Sequence, residues 1–305
     1  MISVVIPTHN RPEELKRAIK SVFNQTKLPN ELIVVDDASY PKLSNDIFCD
    51  SPQNISCKLI SIEQSKGGNH ARNIGIDNSR TEYIALLDDD DIFEFNKIEL
   101  IFNIIKKSNN VDLFYHKARI FMVNENYSYL TKPEIIQDHQ QLLNRLLIKN
   151  IIGGTPMVIF KKESFIKSGK FDISIPALQD YELWIRFAKN NFSFLYVDKV
   201  LTSCFYTTKK KSISKSIEAH NIAISYIEKK YHNEFKNLNP LSMIEYEEWK
   251  ARVLIHKYLL NEQKYQALKF TLLSYKKTFK IKYLGFALVI IGGNRIIKLL
   301  KKFQF

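Results

Sequence analysis

The sequence has 305 residues, and its 45 Lys and Arg exceed its 32 Asp and Glu, which gives a formal net charge of +13. A hydrophobic fraction of 45%, with 20 Phe and 15 Tyr, can bury a sizeable core and excludes global disorder. The cysteines, Cys49, Cys57 and Cys204, are too few for a disulfide framework and lack zinc-site spacing, which favours a reducing cytosol.

The first part of the chain alternates short apolar runs with amphipathic segments. Met1 leads directly into an apolar run, without the charged segment that begins a signal peptide. We predict strands at 2–6, 31–35, 58–62 and 83–87, and helices that begin at Pro12 and Gly68. Strands that alternate with helices indicate an α/β fold built on a largely parallel sheet with both faces covered.

Polar residues follow three of these strands. They are Pro7-Thr8-His9-Asn10, Asp36-Asp37 and Asp88-Asp89-Asp90-Asp91. Ligands of such sheets bind beyond the carboxyl ends of the strands. Each group taken alone is also typical of a solvated loop or a helix cap, so their shared position is what indicates a binding site.

The aspartate run is the strongest indication of chemistry. Adjacent carboxylates repel one another, and a divalent cation, which prefers oxygen ligands, would offset that repulsion. In an extended chain Asp88 and Asp90 would point one way and Asp89 the other. One carboxylate could then bind a metal while its neighbour binds a ligand hydroxyl; the alternative is an acidic surface loop.

The segment from Lys66 to Gly75 combines flexible glycines with one fixed cation, Arg72. A guanidinium group can bind a diphosphate through paired N–H donors. The alternative is that Arg72 only pairs with Asp36, Asp37 or the aspartate run.

The second part of the chain continues the same architecture before it turns helical. We predict strands at 111–123, 157–160 and 192–197 and a helix at 179–189. Because no Gly/Ser linker intervenes, this part is expected to complete the same sheet. From Ser216 the pattern is helical, at 217–231, 243–260 and 264–275. We therefore predict a domain built on the sheet at 1–215 and a helical extension at 216–305.

The motifs together resemble those of a known family. They are Ile6-Pro7-Thr8-His9-Asn10-Arg11, Val35-Asp36-Asp37-Ala38-Ser39, Gly68-Asn69-His70-Ala71-Arg72-Asn73-Ile74-Gly75 and Leu87-Asp88-Asp89-Asp90-Asp91. In this order the chain resembles a family 2 glycosyltransferase over about residues 1–215. The resemblance implies the GT-A fold, a Rossmann-like mixed sheet flanked by helices.

The resemblance also implies roles for individual residues on the donor side. It places Asp37 on the base, Arg72 near the base and phosphates, and Asp89 at the ribose. Asp90, supported by Asp88, would hold the Mn²⁺ or Mg²⁺ that bridges the diphosphate. The nucleotide pocket would be lined by Pro7, Thr8 and Asn10.

On the acceptor side the resemblance places the catalytic base at Asp180, within Gln179-Asp180-Tyr181-Glu182-Leu183-Trp184. A carboxylate there would take the proton of an acceptor hydroxyl, and attack opposite the leaving group would invert the anomeric centre. The alternative for Asp180 is a helix N-cap, and Trp184 is expected to be a core residue. The family's metal-binding His is absent from the stretch 206–214, where Lys209 or a neighbouring lysine could contact the diphosphate instead. The alternative for these lysines is a solvated, flexible loop.

The C-terminal region carries much of the positive charge. Residues 261–305 contain ten Lys and Arg and a single acid, Glu262. The apolar run at 283–293 is too short to span a bilayer, since a span needs roughly 20 residues. Residues 295–303 have the pattern of a basic amphipathic helix that lies on an anionic membrane. The alternative is a helix packed onto the protein's own body.

These observations predict an inverting glycosyltransferase that is cytoplasmic and peripheral at the inner face of the cell membrane. Its donor would be a nucleotide-sugar, most simply a UDP-sugar, and its acceptor a glycan or lipid-linked glycan of cell-surface polysaccharide synthesis. No nucleic-acid partner is expected. The alternatives are a nucleotidyltransferase and a non-catalytic module that binds nucleotide-sugars.

Overall fold

In the computed structural model, which describes residues 1–108, 110–207, 216–278 and 280–291, nine strands form one mixed sheet. They are β1 (Ile2–Thr8), β2 (Glu31–Asp37), β3 (Ser56–Ile62), β4 (Tyr83–Leu86), β5 (Ile92–Phe93), β6 (Leu113–Met122), β7 (Tyr127–Leu130), β8 (Val158–Lys161) and β9 (Phe194–Tyr206). The strand order is β3-β2-β1-β4-β8-β6-β9-β5, and β7 pairs with β6.

The first four strands are parallel, as the alternation of elements predicts. Every residue of β1 and β2 is buried, because helices cover both faces of this part of the sheet. Parallel strands align their carboxyl ends, so the polar residues that follow β1, β2 and β4 meet at one edge.

The second part of the chain completes the same sheet, as expected from the absence of a linker. β8 pairs antiparallel with both β4 and β6, and β9 runs parallel to β6. β9 is longer than the predicted strand at 192–197 and continues to Tyr206. The register shifts where His116 pairs with Val197 and Lys117 with Val200, and this irregularity breaks the apolar alternation that predicts a strand.

Six helices accompany the sheet in the described part of the chain before residue 208. They are α1 (Pro12–Phe23), α2 (Gly68–Asp77), α3 (Lys97–Lys107), α4 (His139–Ile148), α5 (Lys162–Lys167) and α6 (Gln179–Lys189), with 3₁₀ turns at Asn45–Phe48 and Thr155–Met157. The α1 side chains Leu15, Ile19 and Val22 enter the main core. Gly75 lets α2 approach the sheet, since a Cβ there would lie 2.4 Å from Val5 Cγ1.

The chain divides into two compact units. One holds the sheet, and the other holds residues 147–149 and 175–178 with the described residues from 216 onward. The helices of the second unit are α7 (Ile217–Lys230), α8 (His232–Lys236), α9 (Pro240–Leu260) and α10 (Lys264–Thr278), followed by helical residues 282–291. The domain boundary at 215 stays a prediction.

The second unit has its own core and its own ion pairs. Tyr283 packs with Ala251, Ile255 and other apolar residues of this unit. Lys277 lies 3.1 Å from Glu247, and both Lys280 and Lys282 pair with Glu248. Within the described residues, no helix combines the length and the apolar character that crossing a membrane requires.

Candidate active site

The loops after β1 and β4 contact each other directly, which confirms that their polar residues share one edge of the sheet. Thr8 Oγ1 donates to Asp89 Oδ2 at 2.9 Å. Arg11 lies at the N-cap position of α1, and its Nη1 donates to Asp89 Oδ1 at 3.0 Å and to Asp90 Oδ2 at 2.8 Å. Arg11 therefore pairs with both carboxylates in the middle of the aspartate run.

The aspartate run turns instead of staying extended. Asp91 N donates to Asp88 O at 3.1 Å. One guanidinium nitrogen of Arg11 therefore reaches both Asp89 and Asp90, and the expected alternation of their side chains is wrong. Asp91 is buried and accepts a hydrogen bond from Phe205 N at 3.0 Å, so it joins this turn to β9.

Burial and like charge act on the carboxyl groups of this turn. Burial raises the pKa of Asp89 to about 6, although Arg11 and the Thr8 hydroxyl oppose the shift. Burial and the charge of Asp88 also raise the pKa of Asp90. The turn is thus a place where additional positive charge would be stabilising.

Asp88 and Asp90 are candidate oxygen donors for a divalent cation. Within the described residues no three His, Cys, Asp or Glu side chains form a ready metal cluster. Mg²⁺ in nucleotide enzymes is commonly held by one or two carboxylates together with substrate phosphates. Asp88 and Asp90, which lie in the same turn, could supply the two carboxylates of that pattern.

The loop before α2 is held by Asp37. Its carboxylate accepts hydrogen bonds from Ser65 Oγ at 2.7 Å, Lys66 N at 2.9 Å and Gly67 N at 2.8 Å. These donors lower the pKa of Asp37 against the effect of burial. Gly67 adopts φ +88°, a conformation that side-chain-bearing residues rarely take. In this structure Asp37 therefore shapes the loop.

Pro7 lies in β1, and Asn10 follows that strand at the same edge of the sheet. Asn10 has φ 54°, and its Oδ1 accepts from Tyr40 N at 2.7 Å while its N donates to Ser39 Oγ at 2.8 Å. Pro7 pairs in register with Val35 of β2. These contacts tie the loop after β1 to the turn after β2, where the resemblance places the nucleotide.

Arg72 links α2 to the aspartate run. Its Nη2 donates to Asp88 Oδ1 at 2.5 Å, which is one of the pairings named above as the alternative to a role at the diphosphate. Its Nε is buried and has no hydrogen-bond partner within the described residues. Arg72 thus pairs with a carboxylate and retains an unused donor.

Asp180 is the second residue of α6 and belongs to the compact unit that holds the sheet and the aspartate run. Its Oδ1 accepts from Tyr181 N at 2.8 Å, and a Cβ on Gly154 would lie 3.7 Å from its Oδ2. Burial raises the pKa of Asp180 to about 6, with Arg72 opposing this shift and Asp88 adding to it. Asp180, Arg72 and Asp88 are therefore within electrostatic range of one another.

The segment Gly153–Thr155 connects Asp180 to the aspartate run. Trp184 is fully buried, and its Nε1 donates to Gly153 O at 3.0 Å, which confirms Trp184 as a core residue. Thr155 Oγ1 lies 3.3 Å from Asp88 Oδ1.

Sequence patterns missed several of these contacts. Arg11 was recognised only as the last residue of the motif that begins at Ile6, without a role of its own in the site. Arg17, whose Nη2 donates to Asp90 O at 2.8 Å, belongs to no motif. Lys97 is fully buried, and its Nζ donates to Pro156 O at 2.8 Å and to Thr202 Oγ1 at 3.1 Å. Long-range partners such as these leave no local pattern. Lys209 lies outside the described residues.

Comparison with known proteins gives consistent matches. A family model described as Glycosyl transferase family 2 matches residues 3–169. An uncharacterized glycosyltransferase of Haemophilus influenzae is 29% identical over 303 residues, which is 99% of each chain. The Escherichia coli protein WfgD, named UDP-Glc:alpha-D-GlcNAc-diphosphoundecaprenol beta-1,3-glucosyltransferase, is 28% identical over 72% of this chain and 80% of its own.

Solved structures show the same fold. The crystal structure of S. aureus TarS 1-349 in complex with UDP matches with a TM-score of 0.57 at 16% identity, covering 92% of both chains. The complex of TarS 1-349 with UDP-GlcNAc matches with a TM-score of 0.55 at 15% identity, covering 96% of this chain and 91% of TarS. The expected mixed α/β fold is confirmed.

Proposed function

The chain belongs to glycosyl transferase family 2, and we propose that it transfers a sugar from a UDP-sugar to a lipid-linked glycan with inversion of the anomeric centre. The observation that carries this proposal is the convergence of Asp180, Arg72 and Asp88, with Thr8 and Arg11 on the adjoining loops. The UDP complexes of TarS and the name of WfgD support the choice of donor and of acceptor class.

The donor diphosphate would lie between the two arginines. Arg11 and Arg72 are already paired with carboxylates of the aspartate run, and Arg72 Nε is free to donate to a phosphate oxygen. Asp89, next to Thr8, would accept a hydrogen bond from the ribose. Asp37 would bind the base beside the loop that it holds, near Pro7 and Asn10.

Asp90 and Asp88 would hold Mn²⁺ or Mg²⁺ at the diphosphate. When bound, the cation supplies positive charge that stabilises the departing nucleoside diphosphate. The two arginines add to this stabilisation from the protein side. We therefore expect the bond between the sugar and the diphosphate to be weakened, and no covalent enzyme intermediate to form.

Asp180 would act as the general base. A pKa of about 6 leaves its carboxylate largely ionised at neutral pH, yet closer to the operating pH than an exposed aspartate. The acceptor hydroxyl gives its proton to Asp180 as its oxygen forms the new glycosidic bond. The bond between the sugar and UDP breaks on the opposite face, which inverts the anomeric carbon.

A lipid-linked acceptor would bring the enzyme to a membrane surface. The second unit exposes several large apolar side chains, namely Leu272, Leu273, Leu284, Phe286, Leu288 and Ile291. Lys277 pairs with Glu247, while Lys280 and Lys282 share Glu248, so these glutamates offset part of the lysines' charge. The predicted amphipathic helix at 295–303 lies outside the described residues. We place the enzyme on the cytoplasmic face of the membrane.

The test is a panel of nucleotide-sugars incubated with Mn²⁺ and a synthetic acceptor, α-GlcNAc-diphosphate on an alkyl chain. Mass spectrometry should detect release of nucleoside diphosphate together with a glycosylated acceptor. Release of pyrophosphate would identify a nucleotidyltransferase. Binding of a nucleotide-sugar without any turnover would identify a non-catalytic module.

A further inference from the structure

Strand β7 exposes two aromatic rings beside each other. Tyr127 and Tyr129 are 55% and 49% exposed, and their ring centroids lie 6.3 Å apart with 27° between the planes. Residues two apart on a strand share one face of the sheet. Exposed aromatic surface of this kind commonly marks a binding site.

The strand register extends this face across the sheet. Tyr127 pairs with Met122 of β6, which pairs with Tyr206 of β9. Tyr129 pairs with Ile120, which pairs with Cys204. Laterally paired residues point to the same side of a sheet. We call the surface formed by Tyr127, Tyr129, Met122 and Tyr206 the aromatic shelf.

The inner end of the aromatic shelf reaches the candidate active site. The Cys204 thiol hydrogen-bonds to Asp91, the last carboxylate of the aspartate run. Tyr206 is half exposed, and Phe205, its neighbour on β9, donates through its N to Asp91 Oδ1 at 3.0 Å. The Tyr206 hydroxyl is within electrostatic range of Asp91, Asp88 and the proposed general base Asp180.

The absence of charge on the aromatic shelf indicates which substrate of the proposed reaction it would bind. Its side chains are neutral, whereas the anionic diphosphate of the donor is matched by Arg11 and Arg72 near the aspartate run. A sugar ring has an apolar face of C–H groups and a rim of hydroxyls. Tyrosine offers an aromatic face and a hydroxyl of its own, which matches both parts.

We propose that the aromatic shelf binds the glycan part of the acceptor, with sugar rings stacked on Tyr127 and Tyr129 and the reacting sugar between Tyr206 and Asp180. This inference rests on the proposed function, because it needs a glycan acceptor. A different use of β7, whose described pairing is with β6 alone, would be to add a strand from a second copy of the chain.

The test compares Y127A/Y129A with Y127F/Y129F, in which the stacking surface is retained. Y265A is the matched control, because Tyr265 is 75% exposed on α10 of the second unit. The readouts are UDP affinity by calorimetry, acceptor KM and kcat with the α-GlcNAc-diphosphate-alkyl probe, binding to a glycan array in the presence of UDP, and mass by sedimentation.

The double alanine variant should raise the acceptor KM about tenfold, with a smaller effect on kcat, and should lose array binding. Y265A should behave like the wild type. The double phenylalanine variant loses only the hydroxyls and should keep most of the array binding, with an acceptor KM nearer to that of the wild type than to that of the alanine variant. Retained UDP affinity would show that the alanine variant is folded.

An unchanged acceptor KM and an unchanged array pattern in the alanine variant would overturn the inference. Wild-type protein that neither binds any glycan on the array nor uses the probe would also overturn it. So would a change of oligomeric mass with unaltered KM, since that result identifies an interface between copies. Failure of the proposed function looks different, because wild-type protein would then bind glycans through the shelf yet release no UDP.

Discussion

Replacement of Asp180 by asparagine gives the sharpest test of the proposed mechanism. The amide keeps the shape of the side chain. Its oxygen can still accept the hydrogen bond that Tyr181 N donates to Asp180 Oδ1 at 2.8 Å in the wild type. It cannot take a proton from an acceptor hydroxyl. General-base catalysis contributes typically 10²–10⁴-fold, so we expect kcat to fall by about that factor with UDP affinity retained.

The wild-type pH profile follows from the same residue. With a pKa of about 6, the ionised fraction of Asp180 falls from about 90% at pH 7 to about 10% at pH 5. Only the ionised form accepts the proton, so kcat/KM should fall about tenfold over that interval. The direction is a loss of activity as the pH falls through about 6.

The assay measures UDP release between pH 5 and pH 8 for the wild type, D180N and D198N. Asp198 is the matched control, because its side chain is 68% exposed and pairs with Lys117 on the sheet. A flat wild-type profile between pH 5 and pH 7 would refute the argument. So would a D180N variant that keeps more than about a tenth of the wild-type kcat.

Three further predictions concern packing, the metal and the membrane. G75A should lower the free energy of unfolding by about 1–3 kcal/mol, because its Cβ would lie 2.4 Å from a valine side chain of β1. G285A is the control and should not lower it, because no atom lies within 4 Å of the Cβ that it would add. Denaturant unfolding curves measure the free energy of unfolding of both variants. D90N should weaken Mn²⁺ binding in the presence of UDP at least about tenfold, measured by electron paramagnetic resonance, and equal affinity would refute the assignment. L288E should reduce sedimentation of the protein with anionic vesicles, because Leu288 is 59% exposed on the second unit. I166E is the control, since Ile166 is 47% exposed on the first unit, and it should sediment like the wild type. Equal losses in the two variants would contradict the proposed membrane surface.

Local patterns were sufficient where one element determines its own structure. The helix predicted at 179–189 is observed as α6 over Gln179–Lys189, because acids in its first turn and a repeating apolar face mark both ends. The strands β1 and β2 were recognised from continuous apolar runs, although each continues two residues further than predicted. Such patterns depend only on residues that are close in the sequence, so they predict the element without knowledge of its tertiary contacts.

Strand order and irregular strands were not readable in this way. Nothing local indicates that β8 lies between β4 and β6, because pairing is a relation between distant segments. The exposed strand β7 has no buried face, so it lacks the alternation by which a strand is recognised.

For the candidate site, the sequence by itself determined which residue types follow the strands and therefore the chemistry that is possible there. Only the tertiary structure decided their pairing. In the folded chain one nitrogen of Arg11 donates to both Asp89 and Asp90, and Arg72 forms an ion pair with Asp88. It also buried Asp180 enough to raise its pKa to about 6. The physical reason is that charge pairing and desolvation depend on distances through space, which a one-dimensional pattern does not contain.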